Sequence, residues 1–208
     1  MTHIRHSEKM FFVKLFLIVL VLIFSLQSLT KADDIREFEI EGMSIGDSAL
    51  DYFKNSDFKT FYEQYYPGSD EYLGVEIPQH LSKIEYSNYD SITLNWKKND
   101  NSMKIVAISG IKLFPNNLDG CLRERDFIAS EIKGILDDFK EERYTMDFGD
   151  MHDSISYAID LKIKDGSIRI WCTDWDEKSE KENDWEDDLN VSIDTKEFIY
   201  WVDNIAYK

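Results

Sequence analysis

The side chains of this 208-residue chain best suited to chemistry are two cysteines, Cys121 and Cys172, and a large population of carboxylates. An even cysteine count in a chain that folds in an oxidising compartment points to a disulfide. Cys121 falls on the apolar stripe of a helical segment, and Cys172 shares a strand face with Ile168 and Ile170. A helix-to-strand bridge is therefore expected, with two reduced core cysteines as the alternative. Nucleophilic thiol chemistry is disfavoured, because Asp119, Glu124 and Asp126 near Cys121 would raise its pKa rather than lower it. With 41 Asp and Glu residues, acid pairs can be drawn almost anywhere, so no single pair stands out as a general acid and base. The densest run is DWDEKSEKENDWEDD, from Asp174 to Asp188. Its oxygens would suit Ca²⁺, but the glycine and spacing of an EF-hand loop are missing, and the expectation is solvated charge with no bound metal. Two tryptophans interrupt the run, and aromatic faces among carboxylates suit a cationic group. Asp174, Trp175, Asp176, Trp185 and Asp187 are thus the candidate cation or ligand contact.

The remaining motifs carry less. His80 and His152 are far apart and fit no HExxH spacing, so zinc is not expected, nor is any cofactor. Residues 42–46 (GMSIG) spell G-x-S-x-G, but the serine stands at an expected helix start with no preceding apolar strand, and no histidine follows near the C-terminus.

The elements that must position these residues begin with the segment Asn116–Glu142. Leu118, Leu122, Ile128, Ile132, Ile135, Leu136 and Phe139 recur there at helical spacing, with Cys121 and Ala129 between them and Asn117 or Asp119 as the cap. Upstream, Ile45, Ala49, Leu50 and Phe53 predict a short amphipathic helix over 40–52 with Ser44 as its cap, and 58–66 predicts a further helical turn. Segments 72–77, 89–98 and 103–114 read as an antiparallel meander. Residues 143–150 are a linking loop or an edge strand. Residues 154–164 alternate cleanly up to Asp165–Gly166, which suits a type I′ turn, and 167–173 returns. A last strand, 189–193, leads into a closing helix over 195–207 capped by Asp194, with Phe198, Trp201, Val202 and Ile205 inward. The expected fold is α+β: a largely antiparallel sheet, or two adjoining sheets, with helices on one face in the order helix, strands, helix, strands, helix. Residues 33–208 form one domain or two similar halves, 33–114 and 115–208.

Ahead of this domain, Lys9 and Lys14 precede the apolar run Leu15–Leu26, followed by a polar stretch ending at Thr30-Lys31-Ala32. That is the order of a Sec-type signal peptide over residues 1–32, and Met10 would open it equally well. An uncleaved anchor is the alternative. Cleavage would remove four basic side chains (Arg5, Lys9, Lys14, Lys31) and one acidic (Glu8) from totals of 24 and 41, leaving a net charge of −20. Such a field repels nucleic acid and anionic lipid and favours a basic protein or a cationic ligand. The membrane is met only through the leader.

The stretches IEGMSIGDSALDYF, ISGIKLFPNNLDGCLRERDFIASEI and FIYWVDNIAYK resemble a family of small exported bacterial proteins to which no activity is assigned. The glycine-rich start at Gly42 and Gly46, followed by strands, is also similar to the helix-plus-sheet module of the outer-membrane assembly lipoproteins and the β-lactamase inhibitor proteins. The lipoprotein cysteine is missing here, and no inhibitor loop carries over. The sequence leads us to expect a periplasmic or secreted, non-enzymatic interaction domain. Its alternatives are a hydrolase with a carboxylate-based site and an envelope protein held by its N-terminus.

Overall fold

The computed structural model describes residues 34–148 and 153–208. The expected leader over 1–32, and His152 with it, lie outside the described residues. Among the described residues, ten strands and three α-helices follow in chain order. They are β1 (Glu39–Ile40), β2 (Met43–Ser44), β3 (Tyr62–Glu63), β4 (Tyr72–Pro78), β5 (Ser91–Lys97), β6 (Ala107–Leu113), α1 (Leu118–Ile135), β7 (Lys140–Asp147), β8 (Ile155–Ile163), β9 (Gly166–Asp174), α2 (Glu177–Asn183), β10 (Asp188–Thr195) and α3 (Lys196–Trp201). The protein is α+β. Eight strands form one antiparallel sheet in the order β3-β4-β5-β6-β10-β9-β8-β7, and β1 and β2 make a separate small hairpin.

The last strand in sequence is thus central. β10 pairs with β6 on one side and β9 on the other, joining strands from both expected halves in one sheet. Because strand side chains alternate, Leu189, Val191 and Ile193 point to one face, where they meet Ile168, Ile170 and Cys172 of β9 in the main core. α1 covers this face. Cys121 and Ala129 are its fully buried contacts, and Leu118, Leu122, Ile128 and Ile132 pack around them. Cys121 and Cys172 are joined, with Cα atoms 6.0 Å apart, which fixes α1 to β9 as the cysteine count predicted. The Asn117 side chain caps α1 by accepting from the Gly120 N–H.

Four expectations need correction. The segment 40–52 is no helix but the β1–β2 hairpin followed by a 3₁₀ turn over Ala49–Asp51, capped by Ser48 rather than Ser44. Glu41, Gly42 and Gly46 all take positive φ, which no helix allows, and that is how Ile40, Met43, Ile45 and Phe53 reach the core from a non-helical backbone. The helix expected as far as Glu142 stops at Ile135, and Lys140 onward forms the edge strand β7. The order helix, strands, helix, strands, helix is therefore replaced by a strand-rich arrangement. Lastly, the helices do not share one face. Phe198 and Trp201 of α3 pack with Tyr72 and Ala107, whose side chains leave the sheet opposite to Val75 and Ile108, so α3 lies on the face away from α1.

Smaller differences follow the same logic. Segment 57–63 is a 3₁₀ turn running into β3, not an α-helical turn. The β8–β9 hairpin forms as expected, but neither Asp165 nor Gly166 has positive φ, so its turn is not type I′. Gly166 is needed for closeness instead: a Cβ there would overlap the Asp194 carbonyl oxygen of β10. Thr195, not Asp194, caps α3, and α3 continues into one π-helical turn over Val202–Ala206 in which Ile205 faces outward. Among the described residues, no helix is long and apolar enough to cross a membrane.

Candidate ligand-binding site

The polar half of the strand alternation builds the site. Register places Thr93 of β5 opposite Ser109 of β6, Ser109 opposite Ser192 of β10, Ser192 opposite Arg169 of β9, and Arg169 opposite Asp160 of β8. One continuous polar row thus crosses the middle of the sheet on the α3 side. α3 and the residues after it roof part of this row, leaving a cavity of about 340 Å³ beside them. That volume is at the small end of ligand pockets, which span roughly 300–1,000 Å³. The aromatic walls are Tyr66, Trp171, Phe198 and Tyr207. Tyr66 is held in place by edge-on contacts with Trp201 at 4.9 Å and Tyr207 at 5.9 Å between ring centres.

Several floor groups are committed to partners within the protein. Asn95 donates from Nδ2 to the Tyr66 hydroxyl at 2.6 Å, and the Ser192 hydroxyl donates to Asp194 Oδ2 at 2.6 Å. Glu76 accepts from the Ser91 hydroxyl at 2.8 Å. The Ser167 hydroxyl donates to Asp160, whose Oδ2 also lies 3.5 Å from Arg169 Nη2. By contrast, no side-chain hydrogen bond from Thr93, Ser109, Gln64 or Trp171 to another described residue is found.

Arg169 is the least satisfied of these groups. Its Nε is shut away from solvent and has no hydrogen-bond partner among the described residues, although nearly all buried polar atoms in proteins have one. Burial works against its charge, but Tyr144, Asp194, Asp160 and Asp203 outweigh burial and raise its pKa. Burial pushes the Asp194 carboxyl up to about 6. The Ser192 hydrogen bond and Arg169 oppose that rise, while Asp160 and Asp203 add to it. Burial likewise raises Tyr66.

The acidic run is built differently from its sequence reading. It is not wholly exposed, since Asp187 and Asp188 are buried and α2 occupies its middle. Asp176 caps α2, accepting from the Lys178 and Ser179 N–H groups and from the hydroxyls of Ser154 and Ser179. These bonds, the Ser179 hydroxyl foremost, hold its carboxyl far below the usual range. Trp175 and Trp185 do meet, with ring centres 4.4 Å apart, and Phe148 stacks on Trp175 at 5.5 Å. Asp187 accepts from the Trp175 backbone N–H at 2.9 Å, and Asp188 accepts from its indole N–H at 3.1 Å. Burial, then Asp187, raises Asp174. The structure thus brings Asp174, Trp175, Trp185 and Asp187 together around the loop base and assigns Asp176 to α2. Among the described residues, no three of His, Cys, Asp and Glu converge as a metal site would require. Ser44 of the G-x-S-x-G letters sits in β2, its backbone N–H donating to Asp47, and has no place in the cavity.

The sequence marks none of the cavity-floor residues as a ligand contact, and Asp194 only as a helix cap. The available signal was the kind of polar residue: β10 alternates its apolar positions with Asp188, Asn190, Ser192 and Asp194. Short polar side chains at every second position fit beneath a roofing helix, where long Lys or Glu side chains would not.

Fold and site together define a disulfide-stapled α+β protein that seals one sheet face and leaves a small polar cavity on the other. Compared with protein-family models, with curated proteins and with solved structures, the chain matches none.

Proposed function

We propose that the chain is an exported, non-enzymatic binding protein that receives a small polar ligand in the cavity between the polar sheet face and α3. The observation that carries this reading is the pair of hydroxyls on Thr93 and Ser109, set side by side on neighbouring strands in the cavity floor and unclaimed by any described side chain. Preformed polar groups of this kind, beside aromatic walls, are what a ligand site needs to fix orientation. Export is supported by the leader-like first 32 residues and by the cysteine pair, since disulfides persist in oxidising compartments. A binding role is favoured over the hydrolase alternative by how the carboxylates are engaged. Glu76 stands four strands from Arg169, and Asp160 and Asp194, which interact with each other, already accept from the Ser167 and Ser192 hydroxyls.

The test is affinity selection of a small-molecule extract, read by mass spectrometry, with the wild-type protein and with Ser109→Phe, which fills the cavity. Retention of a compound by the wild type and its loss in a variant of unchanged circular dichroism is expected. Equal retention by both proteins, or by neither, would remove the reading. Export is checked separately by the mass of the protein isolated from its host, with a mature N-terminus expected near Asp33.

A further inference from the structure

We infer that the cavity takes a neutral, polyhydroxylated ligand of mono- or disaccharide size, an inference that rests on the binding reading above and narrows it to a chemical class. The first argument is the geometry of the floor. Thr93, Ser109 and Ser192 occupy directly opposed positions on three adjacent strands, giving a row of hydroxyls with a step of about 4.8 Å. A hydroxyl both donates and accepts, so such a row matches a rigid ring that presents hydroxyl groups along one edge. Ser192 gives its hydrogen to Asp194 and faces a ligand as an acceptor, while the Tyr66 hydroxyl, accepting from Asn95, keeps its own hydrogen to donate.

The second argument is charge. Glu76, Asp194 and Asp203 line the cavity and Asp160 adjoins it, against the single cation Arg169, so a carboxylate or phosphate would enter an unfavourable field. For a cation the field is favourable, but the carboxylates of the floor are already partly engaged. Glu76, Asp160 and Asp194 already accept from Ser91, Ser167 and Ser192, and Asp160 pairs with Arg169. Asp203, at the exposed rim, and the buried Arg169 Nε are the charged groups left without a hydrogen-bond partner among the described residues, and the neutral ones are Thr93, Ser109, Gln64 and the Trp171 indole N–H. Trp171 supplies the third argument, for its ring offers an apolar plane on which the C–H face of a sugar ring can lie while its hydroxyls reach the floor.

The experiment is a calorimetric and ¹⁵N-NMR titration of the full chain. Its three arms are neutral saccharides (glucose, galactose, N-acetylglucosamine, maltose), a zwitterionic amino acid (glycine) and a cationic amine (spermidine). A saccharide is expected to bind and to shift the amides of residues 93, 109 and 171. Thr93→Val and Ser109→Ala should each weaken it about three- to tenfold, and Trp171→Ala by more, with melting temperatures of the first two unchanged. Binding of glycine or spermidine in place of the saccharides, lost in the same variants, would overturn the class and leave the binding reading standing. If no arm binds but the extract still yields a compound that Ser109→Phe rejects, the class alone is wrong. Silence in both experiments overturns both.

Discussion

β9 and β10 present two unlike surfaces from one pair of strands. On the α1 side, Ile168, Ile170, Cys172, Leu189, Val191 and Ile193 are all 5% exposed or less and contain no polar atom beyond the bonded sulfur. On the α3 side the intervening residues include Arg169, Trp171, Asn190, Ser192 and Asp194, just as close in sequence but facing a cavity. The side-chain period of two lets one stretch of chain encode a sealed core and a polar site without either intruding on the other. Stability should therefore be concentrated on the first face and ligand recognition on the second. The sharpest way to break that division is at the staple. Replacing both Cys121 and Cys172 with Ala removes a bridge across 51 residues, worth about 4 kcal/mol in the chain-entropy estimate. Urea unfolding should show a loss of this size, and a loss below about 1 kcal/mol would mean that α1 is held by packing alone.

A single core truncation sharpens the same contrast. Leu161 of β8 is fully buried on the α1 side, so Leu161→Ala should cost roughly 2–5 kcal/mol, read from the urea midpoint at unchanged slope. Ligand affinity at saturating folded protein should be unaffected.

The polar face has two buried carboxyls, Asp194 and Asp188, whose contribution to stability runs the other way. Asp194 is raised to about 6 by burial, against roughly 3.9 for an unfolded carboxyl. The folded state thus binds this proton more tightly than the unfolded state. Its stabilising contribution is complete below about pH 4 and is lost as pH rises through about 6. Asp194→Asn keeps an acceptor for the Ser192 hydroxyl and removes the charge, so it should stabilise the protein at pH 7.5 by roughly 2 kcal/mol and change little at pH 4.5. Asp188, also raised to about 6 by burial, should leave part of the slope in the variant. Asp34 is lowered to about 2 by its bonds with Arg36, so its contribution falls away only as pH drops below about 4, outside this comparison. A variant less stable than wild type at pH 7.5 would show that the Asp194 charge is needed, with Arg169 its natural partner.

The same two faces explain what could be read before folding. The apolar face announces itself: alternation marked the β8–β9 hairpin, the stripe through Cys121 and Ala129 marked α1, and the two cysteines matched a helix to a strand. Where reading failed, non-local contacts had overridden local spacing. Ile45, Ala49 and Phe53 have helical spacing, yet the Gly46 N–H bonds to the Ile105 carbonyl and Ser48 bridges to Lys104, more than fifty residues on. The insertion of β10 between β6 and β9 is likewise a long-range pairing with no local mark, and without it Thr93, Ser109, Ser192 and Arg169 are unrelated residues. A polar row assembled from separate hairpins is visible only once strand order is known. The acidic run misled for a related reason, since charge density gives no sign that Asp187 and Asp188 turn inward to hold Trp175.

The smallest expected effect tests the division most strictly. Ser109 of β6 and its neighbour Ile108 point to opposite faces of the sheet. Ile108→Ala opens a void in the main core and should destabilise by about 2–5 kcal/mol. Ser109→Ala deletes a hydroxyl with no side-chain partner among the described residues, so thermal and urea unfolding should place it within about 0.5 kcal/mol of wild type. Thr93→Val should behave the same way, being nearly isosteric. Should either substitution cost more than about 1 kcal/mol, the hydroxyl row would belong to the fold's own hydrogen bonding and not to a ligand. Near-silence in stability, joined to a measurable loss of binding, is the combination that only a recognition surface produces.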